Sequence, residues 1–369
     1  MRHEPGLAGW LQLALTPGLG ATTLRSLLQQ FGLPEDVLAL GRAALARHVP
    51  SATLDELYSE KVARAVARAL RWAEAPGHSL VTLADPAYPK LLLEIADPPA
   101  LLYCVGRTEL LNQPSLAVVG SRNATAQGVR DAERFARALS DAGFAIVSGL
   151  ALGIDAAAHR GGLAGRGSTI AIFGTGIDIV YPPRNGALAQ EVGVHGLLAS
   201  EFPLGTPPAR QNFPRRNRVI SGLSQGVLIV EAALSSGSLI TARAAAEQGR
   251  EVFAVPGSIH SPLSKGCHDL IKSGAKLVES AADILNELTG FMRIDPAGAP
   301  SGPAAESEAG AAPTHDSAVL TQMGFEPVDI DSLCTRAGLP AERVAAELLR
   351  LELDGRIAAL PGGLYQRLH

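Results

Sequence analysis

A chain of 369 residues is long enough for two or three domains of ordinary size, each with its own core. With 47% apolar and only 18% charged residues it is neither disordered nor supercharged, and 39 glycines with 25 prolines point to many tight turns. Its 32 Lys and Arg against 36 Asp and Glu give a net charge of -4, so any anion site must be a local concentration of arginine.

Three cysteines, Cys104, Cys267 and Cys334, contain no Cys-x-x-Cys pair and cannot build a disulfide framework or a zinc ribbon, which fits a reducing cytoplasm. No basic segment leads into an apolar signal core, and no run approaches the roughly 18 apolar residues that span a bilayer. The expectation is a cytoplasmic protein with no membrane contact.

Residues 1–75 read as short helices broken at Pro17-Gly18, Gly32-Leu33-Pro34 and Val49-Pro50, an all-α module. Proline-punctuated segments between Pro76 and Asn112 read as an extended lead-in to the next domain. From Ser115 short apolar runs alternate with helix-period stretches: Ser115 to Gly120, Phe144 to Gly149, Thr169 to Gly174, Leu197 to Phe202, Val227 to Glu231 and Val252 to Gly257. Such alternation predicts an α/β fold with a mostly parallel sheet over 76–290, its ligand outside the carboxyl ends of the strands. Residues 291–315, rich in Ala, Pro, Gly and Ser, read as a flexible linker. In 316–369 a helix from Ile330 to Ala337, a turn at Gly338-Leu339, a helix to Asp354 and a hairpin from Ile357 to Gln366 follow the order of a winged helix.

The function should therefore sit in the turns. After the first strand, Gly120-Ser121-Arg122 places arginine where a dinucleotide fold needs its second glycine, which disfavours NAD and suits a phosphate held from one side. Ser148-Gly149-Leu150-Ala151-Leu152-Gly153 is a second candidate phosphate wall, with Asp155 read as a helix cap and His159 as locally bonded. Gly174-Thr175-Gly176 is lining only. Phe213-Pro214-Arg215-Arg216-Asn217-Arg218 interleaves an aromatic with arginines and, with Arg210, holds four arginines in nine residues free of acid. Base stacking on Phe213 with arginines on phosphates is the recipe for single-stranded nucleic acid, while some arginines pair with Asp155, Asp178, Glu201 or Glu231 to hold the fold. Ser236-Gly237-Ser238 opens a further helix with N–H and O–H donors, and Lys272 adds charge near a strand end. His260, Cys267 and His268 lack a fourth ligand at zinc-like spacing, so no metal or cofactor is expected.

These turns, with Val219-Ile220-Ser221-Gly222-Leu223-Ser224, Leu239-Ile240-Thr241-Ala242 and Ala254-Val255-Pro256-Gly257, resemble the bacterial DNA-processing family DprA, also called Smf, collinearly over roughly half the chain. The resemblance implies an extended Rossmann-like domain that binds single-stranded DNA in a basic pocket, forms a homodimer and loads RecA during natural transformation. It implies a DNA-facing role for Ser121, Arg122, Ser148, Gly149, Gly153, Phe213, Arg215, Arg216, Asn217, Arg218, Ser236, Gly237, Ser238 and Lys272. Which arginine touches DNA and which supports the fold stays open. Leu15-Thr16-Pro17-Gly18-Leu19-Gly20 looks like the helix-hairpin-helix of a sterile-alpha-motif-like (SAM-like) module, and the C-terminal unit resembles the family's winged helix. That unit carries five arginines against eight carboxylates from Asp316 onward, which favours a protein contact or a regulatory role over strong duplex binding.

The competing reading is a nucleotide-processing hydrolase of the Rossmann-like phosphoribohydrolase type, with P-G-G-x-G-T-x-x-E as its motif. Aligned on Ser236-Gly237, this sequence has Leu239 and Ile240 where Gly and Thr belong and Arg243 in place of the catalytic Glu. The expected function is therefore DNA binding without catalysis.

Overall fold

The computed structural model describes residues 6–289 and 318–368, so the linker expected over 291–315 lies outside the described residues. The chain divides into two compact units, one taking in the residues up to Asn123 together with Asp131–Ile284, the other Ala124–Arg130 with Leu285–His369.

The first unit opens with six helices, α1 Leu7–Ala14, α2 Ala21–Phe31, α3 Pro34–Ala39, α4 Gly41–Leu45, α5 Ser51–Leu57 and α6 Glu60–Ala73. They bury a small core of their own that includes Leu13, Leu24, Leu27, Val37, Leu45 and Leu54. The nine strands that follow are β1 His78–Thr82, β2 Leu101–Gly106, β3 Ser115–Val119, β4 Ala145–Ser148, β5 Thr169–Ile172, β6 Leu197–Ser200, β7 Gly226–Ile229, β8 Glu251–Ala254 and β9 Lys276–Leu277. Between them lie α7 Lys90–Leu93, α8 Ala126–Asp141, α9 Ile154–Ala164, α10 Gly186–His195, α11 Asn212–Leu223, α12 Ser238–Glu247 and α13 Lys265–Lys272, with α14 Ala281–Thr289 after β9.

The sheet order is β1-β2-β6-β5-β4-β3-β7-β8-β9. β1–β2 and β2–β6 pair antiparallel and every other neighbour pairs parallel. Every residue of β3 through β7 is buried, as helices on both faces require, which is why these strands read as continuous apolar runs. Along β2 the period-two alternation is plain: Leu102 and Cys104 join one core cluster, while Leu101 and Tyr103 join another shared with Leu11 of α1 and Ala69 of α6. The proline-rich lead-in is thus part of the sheet, and supplies its antiparallel edge.

The chain runs outward from β3 through β4, β5 and β6 on one side, then returns to place β7, β8 and β9 on the other. The carboxyl ends of β3 and β7 are therefore a topological switch point, where diverging crossovers leave a crevice.

The second unit contains α15 Ala318–Met323, β10 Val328–Asp329, α16 Ile330–Ala337, α17 Ala341–Leu353, β11 Ile357–Leu360 and β12 Leu364–Arg367, with sheet order β10-β12-β11. Asp329 caps α16 by accepting from the Ser332 amide at 2.8 Å, and Gly338 ends it in the left-handed conformation. Leu333, Val344, Leu348, Leu351 and Ile357 form its core. α16, α17 and the hairpin fall where expected. α15 and β10, too short to carry a period, were not anticipated.

Candidate functional site

An open cleft of about 660 Å³ occupies the switch point. Val119 and residues 120–123 line it from the end of β3, Ala233 and residues 235–238 from the β7–α12 turn, and Phe213, Pro214, Arg216 and Asn217 from the first turn and a half of α11. The turns are laced together by backbone bonds: Ser121 N–H donates to Glu231 O at 2.7 Å, and Ile154 N–H to Ser121 O at 3.1 Å. Gly153 makes the second contact possible, because its φ of +73° favours glycine and a Cβ there would stand 2.3 Å from Ser121 O.

The arginines separate by environment. Arg122 is exposed on the cleft wall, its guanidinium carbon 5.4 Å from the centroid of the Phe213 ring. Arg210 is likewise exposed and lines the cleft. Tyr181 faces Phe213 with ring centroids 5.9 Å apart and is 43% exposed, so the cleft carries an aromatic pair rather than a single ring.

Arg216 lies on the cleft wall but is only 5% exposed. Its Nη1 donates to Gly149 O at 2.5 Å and Ile172 O at 2.7 Å, and its Nε to Asn217 Oδ1 at 3.1 Å. A Cβ on Gly149 would lie 2.2 Å from Nη1, so only glycine admits this guanidinium between β4 and β5. Burial pulls Arg216 down to about 10, opposed by the Asp155 carboxylate, so it stays charged at neutral pH. It braces the cleft from within. Of the arginines left open by the sequence, Arg216 is one that supports the fold.

Arg215 and Arg218 share a helical face as their spacing predicts, but that face turns to Glu201 and away from the cleft. Arg218 hydrogen-bonds the buried Glu201 carboxylate and Asp97 O and lies 3.4 Å from Asp97 Oδ2. Arg215 lies 3.9 Å from Glu201, with its guanidinium over Phe202 at 5.2 Å. Burial pushes the Glu201 carboxyl up, against the pull of Arg218 and Arg215.

Other expected positions also sort themselves. Ser121, Ser236, Gly237, Ser238 and Asn217 line the cleft; Asn217 reaches Gly237 O at 3.4 Å, and the Ser236 and Ser238 hydroxyls bond each other at 2.7 Å. Ser148 does not line it: its side chain is fully buried and donates to Val118 O at 2.7 Å. Gly149 and Gly153 act through the backbone geometry just described. Thr175 donates to Ile179 O at 2.6 Å, so the third turn contributes Tyr181 to the cleft. Lys272 lies apart, beside a separate groove with Leu234 and Ile259. Tyr181, Arg210 and Asn123 also line the cleft; Arg210 was visible in the arginine-rich stretch, whereas only adjacency in three dimensions distinguishes Tyr181 and Asn123 from other loop residues.

Asp155 is the carboxylate on the cleft wall, and it accepts from the Gly149 amide at 3.1 Å and the Ala151 amide at 3.4 Å. Burial pushes its carboxyl up, opposed by Arg216 and those amides. Beneath it His159 is fully buried: Nε2 accepts from Leu150 N–H at 3.2 Å, and Nδ1 lies 2.8 Å from Thr169 Oγ1, which donates to Ile146 O at 2.5 Å. The proton therefore sits on Nδ1 of a neutral ring, and burial holds the pKa at about 3 against an ordinary 6.5. Between these values the unfolded chain takes up a proton that the native chain refuses. The stability His159 contributes is complete above 6.5 and is lost as pH falls toward 3, with a slope of about 1.4 kcal/mol per pH unit. Urea unfolding from pH 7 to 4 should show a shallower pH dependence in His159→Gln; identical slopes would refute the assignment. Among the described residues no three His, Cys, Asp or Glu side chains gather as metal ligands, and no helix is long and apolar enough to cross a membrane.

Residues 79–289 match the family profile of DNA recombination-mediator protein A, and residues 302–363 that of the DprA winged helix domain. Protein Smf of Escherichia coli (strain K12) is 45% identical over 307 residues, covering 83% of this chain and 81% of that protein. The structure of DNA processing protein A from Streptococcus pneumoniae superposes with a TM-score of 0.64 at 36% identity, over 75% of this chain and 95% of that one. DNA processing protein A from Helicobacter pylori, solved for its single-stranded DNA binding mode, gives a TM-score of 0.53 at 33% identity, over 58% of this chain and 97% of that one. With a Rossmann-like parallel sheet, a winged helix and these relatives, the chain belongs to the DNA recombination-mediator protein A family, the DprA/Smf proteins.

Proposed function

We propose that the chain binds single-stranded DNA without sequence preference in the switch-point cleft and acts as a recombination mediator. In this reading it loads RecA onto incoming DNA during natural transformation, protects that DNA, works as a homodimer in the cytoplasm and catalyses no reaction on the strand. The observation that carries the binding is Arg122 poised over the half-buried Phe213 beside the exposed Tyr181: a phosphate-seeking cation joined to an aromatic pair, in a cleft walled by serines and the N-termini of α11 and α12. Base stacking on an aromatic tolerates any sequence, whereas a duplex hides its ring faces. The single-strand binding mode of the Helicobacter pylori relative supports the same polarity of function. Catalysis by the cleft carboxylate is disfavoured because Asp155 is buried and committed to two backbone amides.

Fluorescence anisotropy on labelled oligo-dT across a salt series tests the binding. If about four phosphates are neutralised, log K falls with log salt at a slope near -3, and Arg122→Ala weakens binding while reducing the slope by about 0.7. A flat salt dependence would overturn the proposal. RecA filament growth on single strands, with and without the protein, tests the loading, and sedimentation tests the dimer.

A further inference from the structure

The sequence is acidic overall, yet Lys61, Arg64, Arg68 and Arg71 of α6 are all exposed, and their helical spacing puts them on one face. Glu60 lies 3.6 Å from Arg64, but both side chains are largely in solvent, so the pair cancels little of the field. Against this face lies a cavity of about 250 Å³, walled by Leu15, Ala65, Ala69 and Leu204, with Arg64 and Arg68 beside it. Tyr103 of β2 also lines it. That side chain is 1% exposed, and its hydroxyl has no hydrogen-bond partner among the described residues. Burial raises the phenol well above its ordinary pKa, so it is a donor at neutral pH, and a buried donor without an acceptor favours any ligand that brings one.

The cavity is linked to the cleft through one loop. Asp178 accepts from Arg68 at 2.8 Å and from the Gly205 amide at 2.8 Å, and Tyr181, three residues on, faces Phe213 in the cleft. The cavity takes Pro203 and Leu204 from the loop after β6, and the cleft takes residues that follow β3 and β7.

We propose that the basic face of α6 and the Tyr103 cavity form a second subsite for the same single strand of DNA. The phosphates follow Lys61, Arg64, Arg68 and Arg71, and one unpaired base enters the cavity and accepts a hydrogen bond from the Tyr103 hydroxyl. The volume is below the roughly 300–1,000 Å³ of pockets for drug-sized ligands and suits a single ring system. Every base carries an acceptor on an edge, so the subsite is sequence-tolerant, and a paired base cannot enter. Arg68 keeps guanidinium donors beyond the one given to Asp178. This inference rests on the single-strand reading of the cleft.

The full-length chain is irradiated with long oligo-dT carrying iodouracil at one position at a time, and the cross-linked peptides are mapped by mass spectrometry. Peptides containing Tyr103 should label from some positions, and peptides containing Tyr181 or Phe213 from others. Ala65→Leu, which fills the cavity from a half-buried position, should abolish the Tyr103 cross-link. It should also weaken long oligo-dT about five- to tenfold, the loss of roughly one stacked base, without affecting an oligomer short enough to occupy the cleft alone. Arg64→Ala with Arg68→Ala should lower the salt slope by about 1.4. Labelling confined to Tyr181 and Phe213, with Ala65→Leu binding as the parent does, overturns the second subsite and leaves the cleft standing. Absence of all labelling and binding removes the cleft reading itself. Labelling of Tyr103 that survives Ala65→Leu, or that occurs with free iodo-deoxyuridine monophosphate and never with the strand, also overturns the proposal.

Discussion

Replacing Arg216 with alanine should destabilise the protein by about 3–5 kcal/mol, the range for deleting one partner of a buried charge system. The substitution strands the Gly149 and Ile172 carbonyls between β4 and β5, removes the Nε bond to Asn217, and deprives Asp155 of the cation that opposes its desolvation. Arg216→Lys should recover only part of the loss, since an ammonium cannot reproduce the planar fork that serves two strands at once. Arg122→Ala, on an exposed side chain of the same cleft, should change stability by less than about 0.5 kcal/mol. Urea denaturation of the three variants checks this directly. Equal stability of Arg216→Ala and Arg122→Ala would contradict the division of labour between a buried brace and an exposed contact.

Arg218→Ala should be costly for a related reason: about 3–5 kcal/mol, because it leaves the Glu201 carboxylate buried beside a much more exposed Arg215. The diagnostic is a double-mutant cycle. Arg218→Met combined with Glu201→Leu removes both charges and fills their volume, and should cost less than Arg218→Met and Glu201→Leu measured singly and summed, giving a coupling energy above about 1 kcal/mol. Oligo-dT binding by folded Arg218→Ala should match the parent, because this guanidinium is turned toward Glu201 and Asp97. Weakened binding at unchanged stability would place Arg218 on the strand instead.

Strands β3 to β7 were legible because burial on both faces demands unbroken apolar runs, which turn residues then punctuate. The edge was not: β1 is half exposed, and β2 follows Asp97-Pro98-Pro99, so both resembled an extended approach to the domain. The arginine cluster at the start of α11, three members on the helix and Arg210 just before it, was visible from composition, but the four look alike along the chain. Their fates diverge because β4 and β5 surround Arg216, Glu201 draws Arg215 and Arg218 aside, and the cleft leaves Arg210 open. Lys272, equally basic, falls on another groove.

The basic face of α6 is hidden in the sequence for the opposite reason. Its charges are spread at helical intervals through an acidic chain, and the orphaned hydroxyl beneath them belongs to a strand some thirty residues away.

The amino-acid order alone determined the alternating architecture, the winged helix and the family, since periodicity, turn chemistry and motif spacing are local properties. Tertiary structure alone decided which guanidinium meets solvent and which meets a carbonyl. Desolvation depends on what packs around a group, and those neighbours come from strands and helices far apart in the chain.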